Sequence, residues 1–163
     1  MKFSLASLVL VFSLNSYAQT TVTPEDLKAV IGEWTGSITY LDYQTNKPFT
    51  MPADLIVKPG KNENTLVLNY IYPDEPKANS TDRIRITQNG TLLNKDIITL
   101  RKELADGQTQ IQTEREGKDD NKDALIRQTY IVGQDQFLMR KEVQFEASED
   151  WIKRSEFSYQ RKY

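Results

Sequence analysis

From Trp34 onward the chain alternates apolar and polar side chains, and turn-forming residues break that alternation at short, regular intervals. A period of two sends successive side chains to opposite faces, so each such run predicts a half-buried β-strand. The runs are Trp34–Tyr43, Phe49–Val57, Thr65–Tyr72, Arg83–Thr87, Ile97–Leu104, Thr109–Arg115, Leu125–Val132, Gln136–Phe145 and Trp151–Tyr163. The breaks hold Thr45–Pro48, Pro59–Asn62, Asp74–Pro76, Asn89-Gly90, Asp106-Gly107, Gly117–Asp123 and Gly133–Asp135, where turn conformations cost little. So many short strands need their edges covered, and a sheet closed on itself has no edges. The expected fold is all-β, an antiparallel up-and-down barrel of about 8–10 strands.

One short helix precedes the strands. Thr23 is placed to cap it, Pro24 suits its first position, and Asp26 completes a capping box. Leu27, Val30 and Ile31 then fall on one face, and Gly32 ends a helix expected over Pro24–Ile31. At about two turns it is too short to stand alone, so it must lie on an apolar surface.

The first residues read differently. Lys2, an apolar run from Leu5 to Leu14 and the close Ser16-Tyr17-Ala18 have the order of a cleavable signal peptide. The run is too short to span a bilayer, which needs about 20 apolar residues. Residues 1–18 are therefore expected to be removed, leaving 19–163 as one barrel domain in the periplasm or outside the cell. Of the 163 residues this leaves 145, with 20 basic and 23 acidic side chains, a net charge of −3. A mildly acidic chain is a poor match for nucleic acid or for an anionic membrane surface. With no cysteine there is no disulfide and no lipid anchor at a mature N-terminal Cys.

The chain has no histidine and no cysteine. That excludes Ser-His-Asp and Cys-His nucleophilic systems, and ordinary zinc, copper and histidine-ligated haem sites. No cofactor is expected. Asp42, Asp54, Glu142 and Glu146 lie in or beside strands, but nothing pairs two of them for glycosidic chemistry. Asp119, Asn121 and Asp123 have the alternate spacing of calcium-loop ligands, yet Ala124 and Tyr130 stand where that loop needs Gly and Glu. A solvated hairpin loop is the expectation there. The sequons at Asn79 and Asn89 carry no weight behind a bacterial-type signal peptide.

Strand parity proposes an inner face. In the last strand Trp151, Ser155, Phe157, Tyr159 and Arg161 share one parity, and Ile152, Arg154, Glu156, Ser158, Gln160 and Lys162 read as water-facing. In the strand before it, Phe137, Met139, Val143 and Phe145 share a face with Lys141. Lys141 and Arg161 must then either find counter-ions or reach water at the rims.

Gly32-Glu33-Trp34, following a short helix and opening the first strand, resembles the Gly-x-Trp opening of lipocalins and their calycin relatives. In that family the Trp closes one end of the barrel and an Arg from the last strand packs over it. The resemblance implies that role for Trp34 and Arg161, with Arg154 a weaker match. The fatty-acid-binding cousins hold a carboxylate with Arg-x-Tyr, which is reversed here as Tyr159-Gln160-Arg161. The other two lipocalin signatures are not evident, and a plain core aromatic is the alternative for Trp34.

The expected function is non-catalytic binding of a small apolar or amphipathic molecule inside the barrel. The expected lining is Trp34, Ile38, Tyr40, Leu55, Tyr70, Met139, Phe157 and Tyr159, with Lys141 and Arg161 offering charge to an acidic head group. The rival is a filled barrel acting as a protein-interaction or scaffold module, with Tyr43, Tyr72 and Tyr163 as anchors; an enzyme is a distant third. Export itself is directly checkable. The intact mass of the exported protein should correspond to a chain starting at Gln19, and a chain retaining Met1–Leu14 would refute the leader.

Overall fold

The computed structural model describes residues 20–146 and 148–163; the expected leader and its cleavage site after Ala18 lie outside them. A five-residue helix, α1 (Pro24–Lys28), precedes β1 (Gly32–Leu41), β2 (Pro48–Pro52), β3 (Asp54–Pro59), β4 (Thr65–Ile71), β5 (Ser80–Thr87), β6 (Leu92–Leu93), β7 (Asp96–Glu103), β8 (Thr109–Asp119), β9 (Lys122–Val132), β10 (Gln136–Phe145) and β11 (Ile152–Arg161). Every pairing is antiparallel, and the sheet closes where β11 meets β1. β2 and β3 are one strand. Ser37 opposite Pro52 and Trp34 opposite Leu55 belong to a single register, and the Ala53 N–H bridges the two segments by bonding to Gly36 O at 3.0 Å. The barrel is therefore closed, antiparallel and ten-stranded, as the alternation predicts. Among the described residues no helix is long and apolar enough to cross a membrane.

The helix is shorter than Pro24–Ile31, because Ala29 to Ile31 turn away to enter β1. Its capping box forms as the sequence predicts, with Asp26 Oδ2 accepting the Thr23 N–H at 2.8 Å. The other oxygen docks the helix. Arg101 of β7 donates to Asp26 Oδ1 from Nε at 3.0 Å and from Nη2 at 2.6 Å. Leu27 and Val30 are buried with Val22 against the end of the barrel. The helix end thereby becomes a floor.

Trp34 and Arg161 seal that floor. They are register partners across β1 and β11, and the guanidinium sits 4.2 Å from the indole centroid. The carbonyls after a helix end need donors. Trp34 Nε1 donates to Val30 O at 2.8 Å, and Arg161 donates to Ile31 O at 3.1 Å, to Ala29 O and to Gln134 O. Gly32 is required twice over. Its φ is +139°, which side chains disfavour, and a Cβ there would meet Arg161 Nη1 at 2.5 Å.

One bulge corrects the expected strand faces. In β11, Lys141 faces Ser155 but Glu142 faces Lys153, which leaves Arg154 as an extra residue. Parity reverses there. Ile152 therefore packs with Val143 and Ile126 instead of facing water, and Arg154 turns inward. Trp151, expected inside, lies over the Arg127 guanidinium at 3.8 Å. A second irregularity at Thr99 in β7 leaves Ile97 exposed and Arg101 facing the helix. The expected loop Gly117–Asp123 is mostly strand, turning only at Asp120 and Asn121, both at positive φ (48° and 60°), as a two-residue hairpin requires.

Closure at Trp34 predicts energetic coupling to Arg161. A double-mutant cycle of Trp34→Phe and Arg161→Met, read by urea unfolding, should give about 0.5–2 kcal/mol of coupling. Additive losses would mean that the stacked pair contributes nothing as a pair.

Candidate functional site

The inner surface divides into a packed half and an open half. Toward the helix, Trp34, Leu55, Leu68, Ile84, Leu93, Ile111, Val132 and Phe137 are each 5% exposed or less and fill the barrel. Farther up the same strands, Ile38, Tyr70, Phe157, Gln128, Lys141 and Ser155 point the same way yet are only partly buried. Tyr40 pairs with Phe49 at 5.5 Å and is 36% exposed, which places it at the rim. The floor is filled, and the inner face above it is a half-buried cup beside a second buried cluster of Ala124, Ile126 and Val143.

An aromatic ladder joins the two halves. Ring centroids step from Trp34 to Phe137 (6.0 Å), Phe137 to Tyr159 (6.3 Å), Tyr159 to Phe157 (5.8 Å) and Phe157 to Tyr70 (5.2 Å). These separations suit offset and tilted aromatic contacts. Gly36 makes room for the middle rung. It faces Tyr159 across the β1–β11 ladder, and a Cβ there would meet the Ser158 carbonyl oxygen first and then the ring edge at 2.8 Å.

The middle rung carries an unsatisfied group. Tyr159 is 1% exposed, and among the described residues its hydroxyl has no hydrogen-bond partner. A buried hydroxyl without a partner costs about 1–3 kcal/mol. Among the described residues the Tyr70 hydroxyl reaches only Met139 Sδ, at 3.9 Å, and a thioether is a weak acceptor. Burial raises the pKa of both phenols, and also of Tyr130, where the charges of Asp96 and Asp82 add to it. All three remain protonated donors at neutral pH.

At the upper end the long β8–β9 hairpin brings Asp119 inward, where it is 3% exposed. Lys141 Nζ donates to Asp119 Oδ1 at 2.7 Å, Arg154 Nε to Oδ2 at 2.7 Å, and the Tyr43 hydroxyl to Oδ1 at 2.9 Å. The Arg154 guanidinium also covers the Tyr43 ring at 4.7 Å. One carboxylate thus ties the hairpin tip, the β1–β2 loop, β10 and β11 together. Burial alone would push its pKa up. The bonds from Lys141 and Tyr43 and the charges of Lys141 and Arg154 outweigh burial and hold it below 3.8.

The expected lining is only partly one site. Ile38, Leu55, Tyr70, Met139, Phe157 and Tyr159 share the inner face around the ladder, with Trp34 beneath them and Tyr40 at the rim. Lys141 and Arg161 do not come together. Lys141 lies beside Ser155, six residues along β11 from Arg161, which is roughly 20 Å of strand. Arg161 belongs to the floor and Lys141 to the rim. Asp119, expected in solvated loop, is instead the counter-ion that Lys141 needs. The signal for it was a lysine on an apolar face, which requires either water or a buried anion. Among the described residues no group of His, Cys, Asp or Glu side chains is arranged to hold a metal ion.

Floor, cup and closing strand pair define a closed ten-stranded antiparallel barrel. No known protein family matches the chain, and no curated protein sequence matches it. Among solved structures, Rv2717c from M. tuberculosis is similar at 12% identity, covering 83% of this chain and 94% of its own, with a TM-score of 0.47. A protein of unknown function from the DUF3598 family of Nostoc punctiforme is similar at 10% identity, with 87% of this chain and 50% of that one covered and a TM-score of 0.36.

The buried ion cluster predicts a pH dependence with a definite sign. Asp119 has a folded pKa below its unfolded value, so its contribution is complete above that unfolded value and fades as pH falls through the folded one. Asp119→Asn should lose about 2–3 kcal/mol at neutral pH. Urea midpoints of both proteins should begin to draw together below about pH 4 and meet only under the folded pKa. A difference independent of pH would show that the carboxylate's charge is not what holds the cluster.

Proposed function

We propose that this chain is a lipocalin-like binding protein that holds one small amphipathic molecule in the open half of its barrel. The observation that carries this reading is the Tyr159 hydroxyl, buried and unpartnered at the base of a half-exposed aromatic cup. A bound molecule supplies the missing acceptor. Its apolar body lies on Phe157, Tyr70, Met139 and Ile38, and its exposed end lies near Lys141 at the rim. The Gly32-Glu33-Trp34 opening with Arg161 over the indole supports the calycin-type relationship on which this reading leans.

A dansylated undecanoate is a suitable probe, having both an apolar chain and strong acceptors. Its fluorescence should rise saturably at one molecule per barrel, and Met139→Trp, which fills the cup, should abolish the rise without unfolding the protein. Tyr159→Phe should weaken binding about tenfold, the worth of one hydrogen bond, while leaving stability equal or up to about 1 kcal/mol higher. No saturable signal, or equal binding by Met139→Trp, would sink the proposal.

A further inference from the structure

The wall of the barrel is complete only near the helix. β6 is two residues long, and β7 pairs with β8 no farther up than Ile97 opposite Glu114. Above that level Ser80–Ile84 of β5 and Arg115–Asp119 of β8 each have a strand on one side only. Side chains, not a strand, serve the β5 edge. The Arg83 N–H bonds to Asp82 Oδ1 at 2.7 Å and the Arg85 N–H to Asn94 Oδ1 at 2.9 Å. Between the edges lies a notch of about 490 Å³ lined by Asp82, Arg83, Arg85, Lys95, Asp96 and Arg115.

Its charge runs against that of the chain. Four cations and two carboxylates line the notch in a protein of net charge −2, and among the described residues only Arg115 of the four cations is in an ion pair, at 3.4 Å from Asp96. A second groove of about 810 Å³ shares Arg83 and Arg85 and adds Lys61. An unpaired strand edge binds an extended chain through its backbone and leaves selectivity to the flanking side chains. Here those side chains repel a second copy of the same edge and attract carboxylates.

We infer that the notch between β5 and β8 docks an extended acidic segment of a partner protein, which adds as a strand and completes the wall. This site is separate from the cup and does not depend on a bound small molecule.

A short peptide alternating glutamate and valine, titrated into isotope-labelled full-length protein, tests the inference. Amide shifts should concentrate in Ser80–Arg85 and Arg115–Asp119. Affinity should fall about tenfold or more for a backbone N-methylated peptide, for its lysine counterpart, and in the exposed double variant Arg83→Glu, Arg85→Glu. Absence of binding would overturn the inference. Equal binding of the N-methylated peptide would also overturn it, since charge alone would then explain the contact. A concentration-dependent dimer without peptide would overturn it too, by showing that the edge pairs with itself.

Discussion

Arg161 holds this barrel closed. It ends the last strand and lies on the indole that opens the first, and it donates to carbonyls of the segment following the helix and of the β9–β10 turn. Two of those carbonyls, of Ala29 and Ile31, follow a helix of only five residues, and carbonyls past a helix end need donors. The bond from Arg161 to Ile31 O spans 130 positions of sequence, so the ring closes only when distant parts of the chain have met. A barrel closed this way gains its stability late, because loop-closure entropy opposes the contact until most other strands are in place. It also explains Gly32, whose missing side chain leaves the space that the guanidinium uses.

A filled floor permits an unfilled mouth. Stability rests on the large side chains near the helix, which leaves inner positions farther up free to be polar or partly exposed. Two arrangements there cost free energy unless something compensates. One is the buried Asp119, which Lys141, Arg154 and Tyr43 satisfy within the protein. The other is the Tyr159 hydroxyl, which no described residue satisfies. Local departures from polar satisfaction are where proteins concentrate function. The contrast between these two groups locates the candidate site more sharply than the shape of the interior does.

Much of the fold was legible because alternation is a local property. The strands from β1 to β4 and the capping box of Thr23 and Asp26 follow from residues read along the chain, and the juxtaposition of Trp34 with Arg161 is what the Gly-x-Trp resemblance implies. What escaped depends on the neighbouring strand. A one-residue slip at Arg154 inverts every face before it, which sends Ile152 in and Trp151 out, and no composition signal marks the slip. The two-residue β6 is too short for any pattern to register, so the notch beside it was invisible too. Asp119 sits in a stretch of alternating charges that reads as solvated turn, and only its three-dimensional partners reveal it as a buried anion. For the cup, Phe157, Tyr70, Met139 and Tyr159 were legible as an inner face. That one hydroxyl among them lacks a partner was not.

The central claim is that the Tyr159 hydroxyl awaits an acceptor from a bound molecule. Native mass spectrometry of the protein isolated from the cells that make it addresses this without choosing a ligand in advance. The account predicts a population heavier than the bare chain by one small molecule, depleted in Tyr159→Phe prepared from the same cells. A bare mass for the wild-type protein, or an adduct that Tyr159→Phe retains in full, would contradict it.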